Sequence, residues 1–401
     1  MPVTADVVLA DFFAGCGGTS LGFAAAGIAP AVAVDWDMDA AATFRLNFPA
    51  TAVIERDIHD LEVDEIEAGL PPSGDRIRLF AGCAPCQPFA GHRHAPTYRD
   101  GRSFLLLEFL RFVESLNPEL IFVENVPGMR RLSTSQGPFT EFVDEVSKTH
   151  HVAYDTISSA DYGVPQTRRR LLLLASRLGP IEMPAPTHGP GTGQPHATVR
   201  DWIEDLPPIA AGDEDPDVSS HRAMRLSTLN LARIRATPEG GDRRDWPDHL
   251  WPDCHRGGFG GHTDVYGRLR WDRKAPALTT KCISYSNGRF GHPDQDRALS
   301  AREAARLQTF PIDFQFTGSL ASQARQIGNA VPVALARRFG HHLIEHAAKF
   351  ASSRSGGPQD SHARSRDGTS TRAPSRSEPR GALRSRAVKD DGTPEMARHA
   401  A

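Results

Sequence analysis

The residues Gly82-Cys83-Ala84-Pro85-Cys86-Gln87 follow the apolar run Leu79-Phe80-Ala81, so Cys86, held by a rigid proline, stands where a strand should end. A thiol there has a nucleophile's position. Other readings compete with that one. A lone cysteine among small apolar residues is ordinarily a buried turn. A Cys83/Cys86 redox pair should open a helix, yet Pro88 and Gly91 follow instead. His92 and His94 would need a second cysteine pair to complete a zinc site, and Cys254 and Cys282 lie far away.

Company at other strand ends favours the nucleophile. The buried run 120–123 delivers Glu124, within Glu124-Asn125-Val126-Pro127-Gly128, to a turn. The run Gln166-Thr167-Arg168-Arg169-Arg170 precedes Leu171-Leu172-Leu173-Leu174, so alternate arginines enter a strand on one face. Open α/β sheets bind ligands beyond the carboxyl ends of their strands. That suits Cys86 and Glu124, whereas the arginines, at a strand's start, fit only if their strand runs antiparallel.

The N-terminal segment reads as a second half of the same architecture. A strand over 7–10 leads into the glycine-rich turn 11–18, with Phe13, Gly15, Gly17 and Gly18, and a helix begins at Thr19. The next strand, 31–34, ends in Asp35-Trp36-Asp37, an acid 18 positions after Gly17, the spacing used to hold ribose hydroxyls. Asp57 repeats the pattern one strand later. Dinucleotides, nucleotides and adenosyl compounds all use such turns, and the missing third glycine argues against NAD.

Together these residues resemble the DNA (cytosine-5)-methyltransferase family. The motifs are Phe13-Ala14-Gly15-Cys16-Gly17-Gly18, Asp35-Trp36-Asp37, Pro85-Cys86-Gln87-Pro88-Phe89, Glu124-Asn125-Val126, the run 166–170, Arg302-Glu303-Ala304-Ala305-Arg306-Leu307-Gln308, and Gln326-Ile327-Gly328-Asn329-Ala330-Val331-Pro332. They stand in the family's order and span about residues 11–350. The resemblance implies an α/β fold, a Rossmann-like mixed sheet of the S-adenosylmethionine-dependent methyltransferases, with a second, smaller target recognition domain. It implies that Cys86 adds to carbon 6 of cytosine, that Glu124 holds the ring at N3 and its amino group, and that Arg168 or Arg170 contacts O2.

The implied cofactor is S-adenosylmethionine, with no metal. Phe13 would pack beside the adenine, Trp36 would stack on it, and Asp57 would lie near its amino group. The glycine turn would face the methionine moiety, Asp35 or Asp37 the ribose, and Asn329 would return to the pocket from the far end of the chain. The helix expected over 333–350 would pack back on the large domain.

Charge and composition divide the rest. A proline- and glycine-rich connector covers 180–195, and seven acids without a Lys or Arg lie between 201 and 221. Residues 222–302 then carry 13 Arg and 2 Lys against 9 acids, a net of +6. This stretch, with Gly257-Gly258-Phe259-Gly260-Gly261, suits phosphate contacts and groove-entering loops. In the family it corresponds to target recognition, and Leu278-Thr279-Thr280 resembles its threonine-containing stretch. The domains expected are 1–184 (catalytic and cofactor-binding), 185–300 (target recognition), 301–350 (hinge and return to the catalytic domain) and 351–401 (a disordered tail).

A cytosine within a duplex must be extruded before Cys86 can reach it. The loop 90–102, with Gly91, Arg93, Arg99, Gly101 and Arg102, is the candidate to close over it, and Gln87, Arg93 and Thr280 are the candidate DNA contacts. Ala90 stands where the family usually has serine. With 401 residues, five cysteines, a net charge of −3 and no long apolar run, the expected protein is soluble, cytoplasmic and monomeric, without a membrane partner. It would act on double-stranded DNA, bound through local patches and with nucleoid association. A cognate restriction endonuclease would be its companion. An RNA methyltransferase and an inactive nucleic-acid binder are the competing readings.

Overall fold

The computed structural model describes residues 5–72, 76–85, 105–131, 137–253, 256 and 264–354. Cys86, Gln87, Arg93, the loop 90–102, the glycine run 257–261 and the tail 355–401 lie outside the described residues.

Seven strands form one sheet: β1 (Val7–Phe12), β2 (Ala29–Asp35), β3 (Ala52–Glu55), β4 (Ile77–Gly82), β5 (Leu120–Asn125), β6 (His151–Ser158) and β7 (Arg169–Ser176). Their order is β3-β2-β1-β4-β5-β7-β6. Strands β1 to β5 are mutually parallel, and β7 runs antiparallel between β5 and β6. The strand order reverses between β1 and β4, the switch point where open sheets bind ligands. The reversal of β7 meets the condition set by the arginines: the register pairs Asn125 with Leu171 and Glu124 with Leu172. The start of β7 therefore lies beside the end of β5.

Eleven α-helices of the described residues surround the sheet: α1 (Gly18–Ala26), α2 (Met38–Asn47), α3 (Val63–Ala68), α4 (Leu105–Leu116), α5 (Gly128–Arg131), α6 (Pro138–Val146), α7 (Arg200–Ile203), α8 (Thr228–Arg235), α9 (Ala301–Leu307), α10 (Leu320–Asn329) and α11 (Val333–Arg354). On one face of the sheet Phe12, Phe80, Phe109, Phe112 and Phe142 form an aromatic core under α4 and α6. On the other face Phe23, Phe122, Leu335 and Phe339 pack α1 and α11 together. That contact is close: a Cβ on Gly22 would lie 2.5 Å from the Val333 carbonyl, so α11 needs glycine there. The result is a three-layer α/β/α sandwich.

Between β7 and α9 the chain has little regular structure. Its small apolar cluster of Ile234, Trp246, Leu250, Tyr285 and Ala298 is reinforced by buried arginines. Arg268 donates to the carbonyls of Thr237, Ile234 and His292 at 2.7, 2.9 and 2.9 Å. Arg297 grips Glu303 through two hydrogen bonds of 2.7 and 2.6 Å. Fixed backbone donors and acceptors here replace the ladders a sheet would supply. No helix among the described residues is long and apolar enough to cross a membrane.

Candidate active site

The end of β5 and the start of β7 bring one carboxylate and two guanidiniums together. Arg170 Nε lies 2.9 Å and Arg168 Nη2 3.8 Å from Glu124 Oε1. Glu124 is 7% and Arg168 2% exposed, so neither belongs to a solvated charged face. No donor among the described residues is aligned on Glu124 Oε1, nor any acceptor on Arg168 Nε. The cluster thus keeps a net positive charge and is open in hydrogen bonding. Burial and then the charge of Arg170 lower Arg168 to about 9, against the pull of Glu124, and it remains a cation at neutral pH. Arg168 Nη1 also donates to the carbonyls of Leu278 and Gly328, both at 3.2 Å.

Asn125 Nδ2 donates to the Ala84 carbonyl at 3.1 Å, tying the end of β5 to the segment that leaves β4. That anchor comes two residues before Cys86. Cys83, on the same segment, meets Thr19 Oγ1 at 3.7 Å. Burial, then the charges of Glu124 and Asp11, push its thiol well above its ordinary value. A thiol held protonated in this way is a poor redox partner.

The glycine turn occupies the carboxyl end of β1. Phe13, Gly15 and Gly17 have φ of 58, 55 and 96°, the left-handed region, which is rare for a residue as bulky as phenylalanine. Asp35 supports this turn: its Oδ2 accepts from Gly15 N at 2.7 Å and its Oδ1 from Asp37 N at 2.9 Å. Burial raises its pKa. A Cβ on Gly15 would have no atom within 4 Å, whereas one on Gly17 would strike Phe48 and one on Gly18 the Val331 carbonyl. The turn is therefore packed on its back and open at Gly15. Trp36 is 70% exposed beside it. Asp37 caps α2, and Asp57 caps the turn 58–60, where the His59 backbone N–H holds it below the usual carboxylate range.

Asn329, the last residue of α10, is exposed. Neighbouring Gly328 lies directly under the 279–280 peptide, where a Cβ would fall 2.5 Å from Thr280 N. Thr280 thus stands beside the carbonyls that hold Arg168. Buried Gln166 strengthens the junction, donating to the Leu307 carbonyl and Gln308 Oε1 at 2.9 and 2.8 Å and accepting from Leu278 N at 3.2 Å. Among the described residues no group of three or more His, Cys, Asp or Glu is placed to hold a metal ion.

Asp11, at the carboxyl end of β1, is buried and carries no motif signal of its own. Its Oδ2 accepts from Ser20 Oγ at 2.6 Å, and its buried Oδ1 has no partner among the described residues. Burial, with Asp35 adding and Ser20 opposing, pushes it up from 3.8 to about 7. Because the folded value lies above the unfolded one, the native state retains a proton that the unfolded chain releases. Stability is therefore lost as pH rises from about 4 to 7, by on the order of 4 kcal/mol. Asp11→Asn should gain stability over the parent at pH 8 and gain less at pH 5, as read by urea unfolding. A gain independent of pH would show that Asp11 is ionised throughout.

A reversed β7 in a seven-stranded sheet, with a glycine turn at the switch point, defines the Rossmann-like fold of S-adenosylmethionine-dependent methyltransferases. Solved structures agree. A candidate DNA modification methyltransferase from an E. coli prophage superposes with a TM-score of 0.65 at 23% identity, covering 85% of this chain and 99% of that one. S. pombe Dnmt2 methyltransferase gives 0.56 at 18% identity, covering 85% and 99%. The family model described as C-5 cytosine-specific DNA methylase matches residues 7–345, and the chain belongs to that family. It is a DNA (cytosine-5-)-methyltransferase. Among its relatives, the Type II methylase M.HgiDII of Herpetosiphon aurantiacus is 40% identical over 334 residues, 82% of this chain and 92% of the relative. Type II methyltransferase M1.HphI of Haemophilus parahaemolyticus is 32% identical over 340 residues, 84% and 86% respectively.

Proposed function

We propose that this enzyme methylates carbon 5 of a cytosine extruded from a specific double-stranded DNA sequence, through a covalent bond between Cys86 and carbon 6. The observation that carries the reading is the Glu124, Arg168 and Arg170 cluster, whose unaligned Glu124 Oε1 and Arg168 Nε leave polar capacity for a ring edge. The thiolate of Cys86 adds to carbon 6, and the ring electrons move to carbon 5, making it a nucleophile. Glu124 holds N3 and the amino group, and Arg168 or Arg170 faces O2, so the developing charge meets preorganised partners. Once carbon 5 carries the methyl group, water takes its proton, the electrons of that carbon–hydrogen bond re-form the 5,6 double bond, and the sulfur–carbon bond breaks to return the thiolate.

S-adenosylmethionine, when bound, supplies an electrophilic methyl group. The chain's residues fit it: the turn is open at Gly15, with Gly17 and Gly18 packed behind, and Trp36 offers an uncovered aromatic face. Phe13, Asp35 or Asp37, Asp57 and Asn329 complete the proposed pocket. Residues 1–184 and 301–350 would form the catalytic domain, and 185–300 would read the target, with Gln87, Arg93 and Thr280 on the DNA. The naming of the relatives as Type II methyltransferases supports a role in restriction–modification beside a cognate endonuclease, with this chain acting as a cytoplasmic, nucleoid-associated monomer.

Methyl transfer from radiolabelled S-adenosylmethionine to mixed-sequence duplex DNA and to tRNA, with bisulfite sequencing of the products, tests the substrate. Label in duplex DNA at one short sequence is expected. Label in tRNA alone would move the substrate to RNA, and label in neither would favour an inactive binder.

A further inference from the structure

Two neighbouring side chains of α10 reach across to α2, and none of the steps above uses them. Arg325 Nη2 and Nε lie 2.9 and 3.2 Å from Asp37 Oδ2. Asp37 Oδ1 accepts from the backbone of Asp39 and Ala40 at 3.0 and 3.1 Å. One carboxylate thus caps α2 and takes the guanidinium. Gln326, next along α10, is buried: its Oε1 accepts from Thr43 Oγ1 at 2.7 Å and its Nε2 donates to the Thr317 carbonyl at 3.0 Å. Its own carbonyl accepts from Cys16 Sγ at 3.7 Å, between Gly15 and Gly17. A single turn of α10 therefore touches the glycine turn, the start of α2 and the middle of α2.

The buried Gln326 contacts hold α2 in place, but they act below the corner that presents Asp35 and Trp36. Arg325 is the tether at the corner itself. Asp37 N donates to Asp35 Oδ1, and Asp35 Oδ2 accepts from Gly15 N, so a shift of Asp37 passes directly to the turn. We propose that Arg325 is a positioning residue for the cofactor: through Asp37 it fixes the corner that presents Asp35 and Trp36 to S-adenosylmethionine. The inference rests on the reading that this corner holds S-adenosylmethionine. It assigns Asp37 to the tether and leaves Asp35 and Trp36 to face the ligand.

The pair is partly open to water, with side chains 46% and 26% exposed, and such ion pairs are weak and screened by salt. Arg325→Ala in the full chain should therefore raise both the Kd for S-adenosylmethionine, by titration calorimetry, and its KM by about 3- to 5-fold. Its kcat and its KM for duplex DNA should stay within about twofold, and Arg325→Lys should recover part of the loss. In a cycle with Asp37→Asn, the double variant should be no weaker than the worse single variant. Additive losses, or an unchanged KM for S-adenosylmethionine in Arg325→Ala, would overturn the tether. A larger loss from Asp37→Asn that persists in the Arg325→Ala background would place Asp37 on the ribose and overturn it too. Trp36→Ala separates the two readings. If it weakens S-adenosylmethionine binding and Arg325→Ala does not, only the tether fails. If neither does, the cofactor site is elsewhere.

Discussion

Cys86→Ser should form no denaturant-resistant complex when incubated with S-adenosylmethionine and duplex DNA containing 5-fluorocytosine, whereas the parent protein should. The fluorine stands where the departing proton would be, so elimination stops and a covalent adduct accumulates. A thiol of pKa about 8.5 can be drawn into its thiolate by nearby positive charge, while a serine hydroxyl remains a far weaker nucleophile without a dedicated base. The described residues hold two cations next to Glu124, at the corner to which Asn125 ties the chain through Ala84. Turnover should fall with the trapped complex, by on the order of 10³-fold or more. An adduct that survives in Cys86→Ser would assign the attack to another residue. Its absence in both proteins, with RNA tested alongside, would point to an RNA substrate or to an inactive binder.

Glu124→Gln should lower kcat by about 10²- to 10³-fold while the protein stays folded. The amide keeps the shape of the side chain but no longer favours the proton that N3 takes up as electrons move into the ring. Glu124→Ala is a different experiment, because it also leaves Arg168 and Arg170 without their carboxylate. Removing one partner from a buried pair costs about 3–5 kcal/mol, so that variant should fail in urea unfolding before it reports on chemistry. Single-turnover methylation by Glu124→Gln, beside a matched unfolding curve, decides the matter. A rate within tenfold of the parent would reduce Glu124 to a counter-ion for its arginines.

The proposed site is legible in the sequence where it sits at strand ends, because a short apolar run ending in a turn shows both the strand and the side chain it presents. Glu124 is such a residue, and the arginines of 166–170 carried their own condition, which the direction of β7 meets. Strand β6 leaves no such signal, for the opposite reason. It is an edge strand, largely exposed, and His151–Ser158 carries no clean alternation of apolar and polar residues. Asp35 and Asp37 were visible as acids at the right spacing, but their backbone partners in the turn and in α2 were not. Asp11 and Gln166 lie beside glycines and arginines that carry the recognisable spacing, and their own roles depend on partners distant in sequence or on burial alone. Between β7 and α9, proline, glycine and arginine mark a non-repetitive chain, and only three-dimensional contacts show that Arg268 and Arg297 organise it.

The bond from Cys16 to the carbonyl of Gln326 joins positions 310 residues apart, so at ordinary synthesis rates the ribosome takes roughly 15–60 s to pass from one to the other. Throughout that interval the glycine turn lacks the helix that backs it, and Gly18 lacks the Val331 carbonyl against which it packs. The nascent enzyme is thus silent by construction. Competence waits on α10, and a premature stop before it is expected to yield an inert fragment in place of a slow methylase.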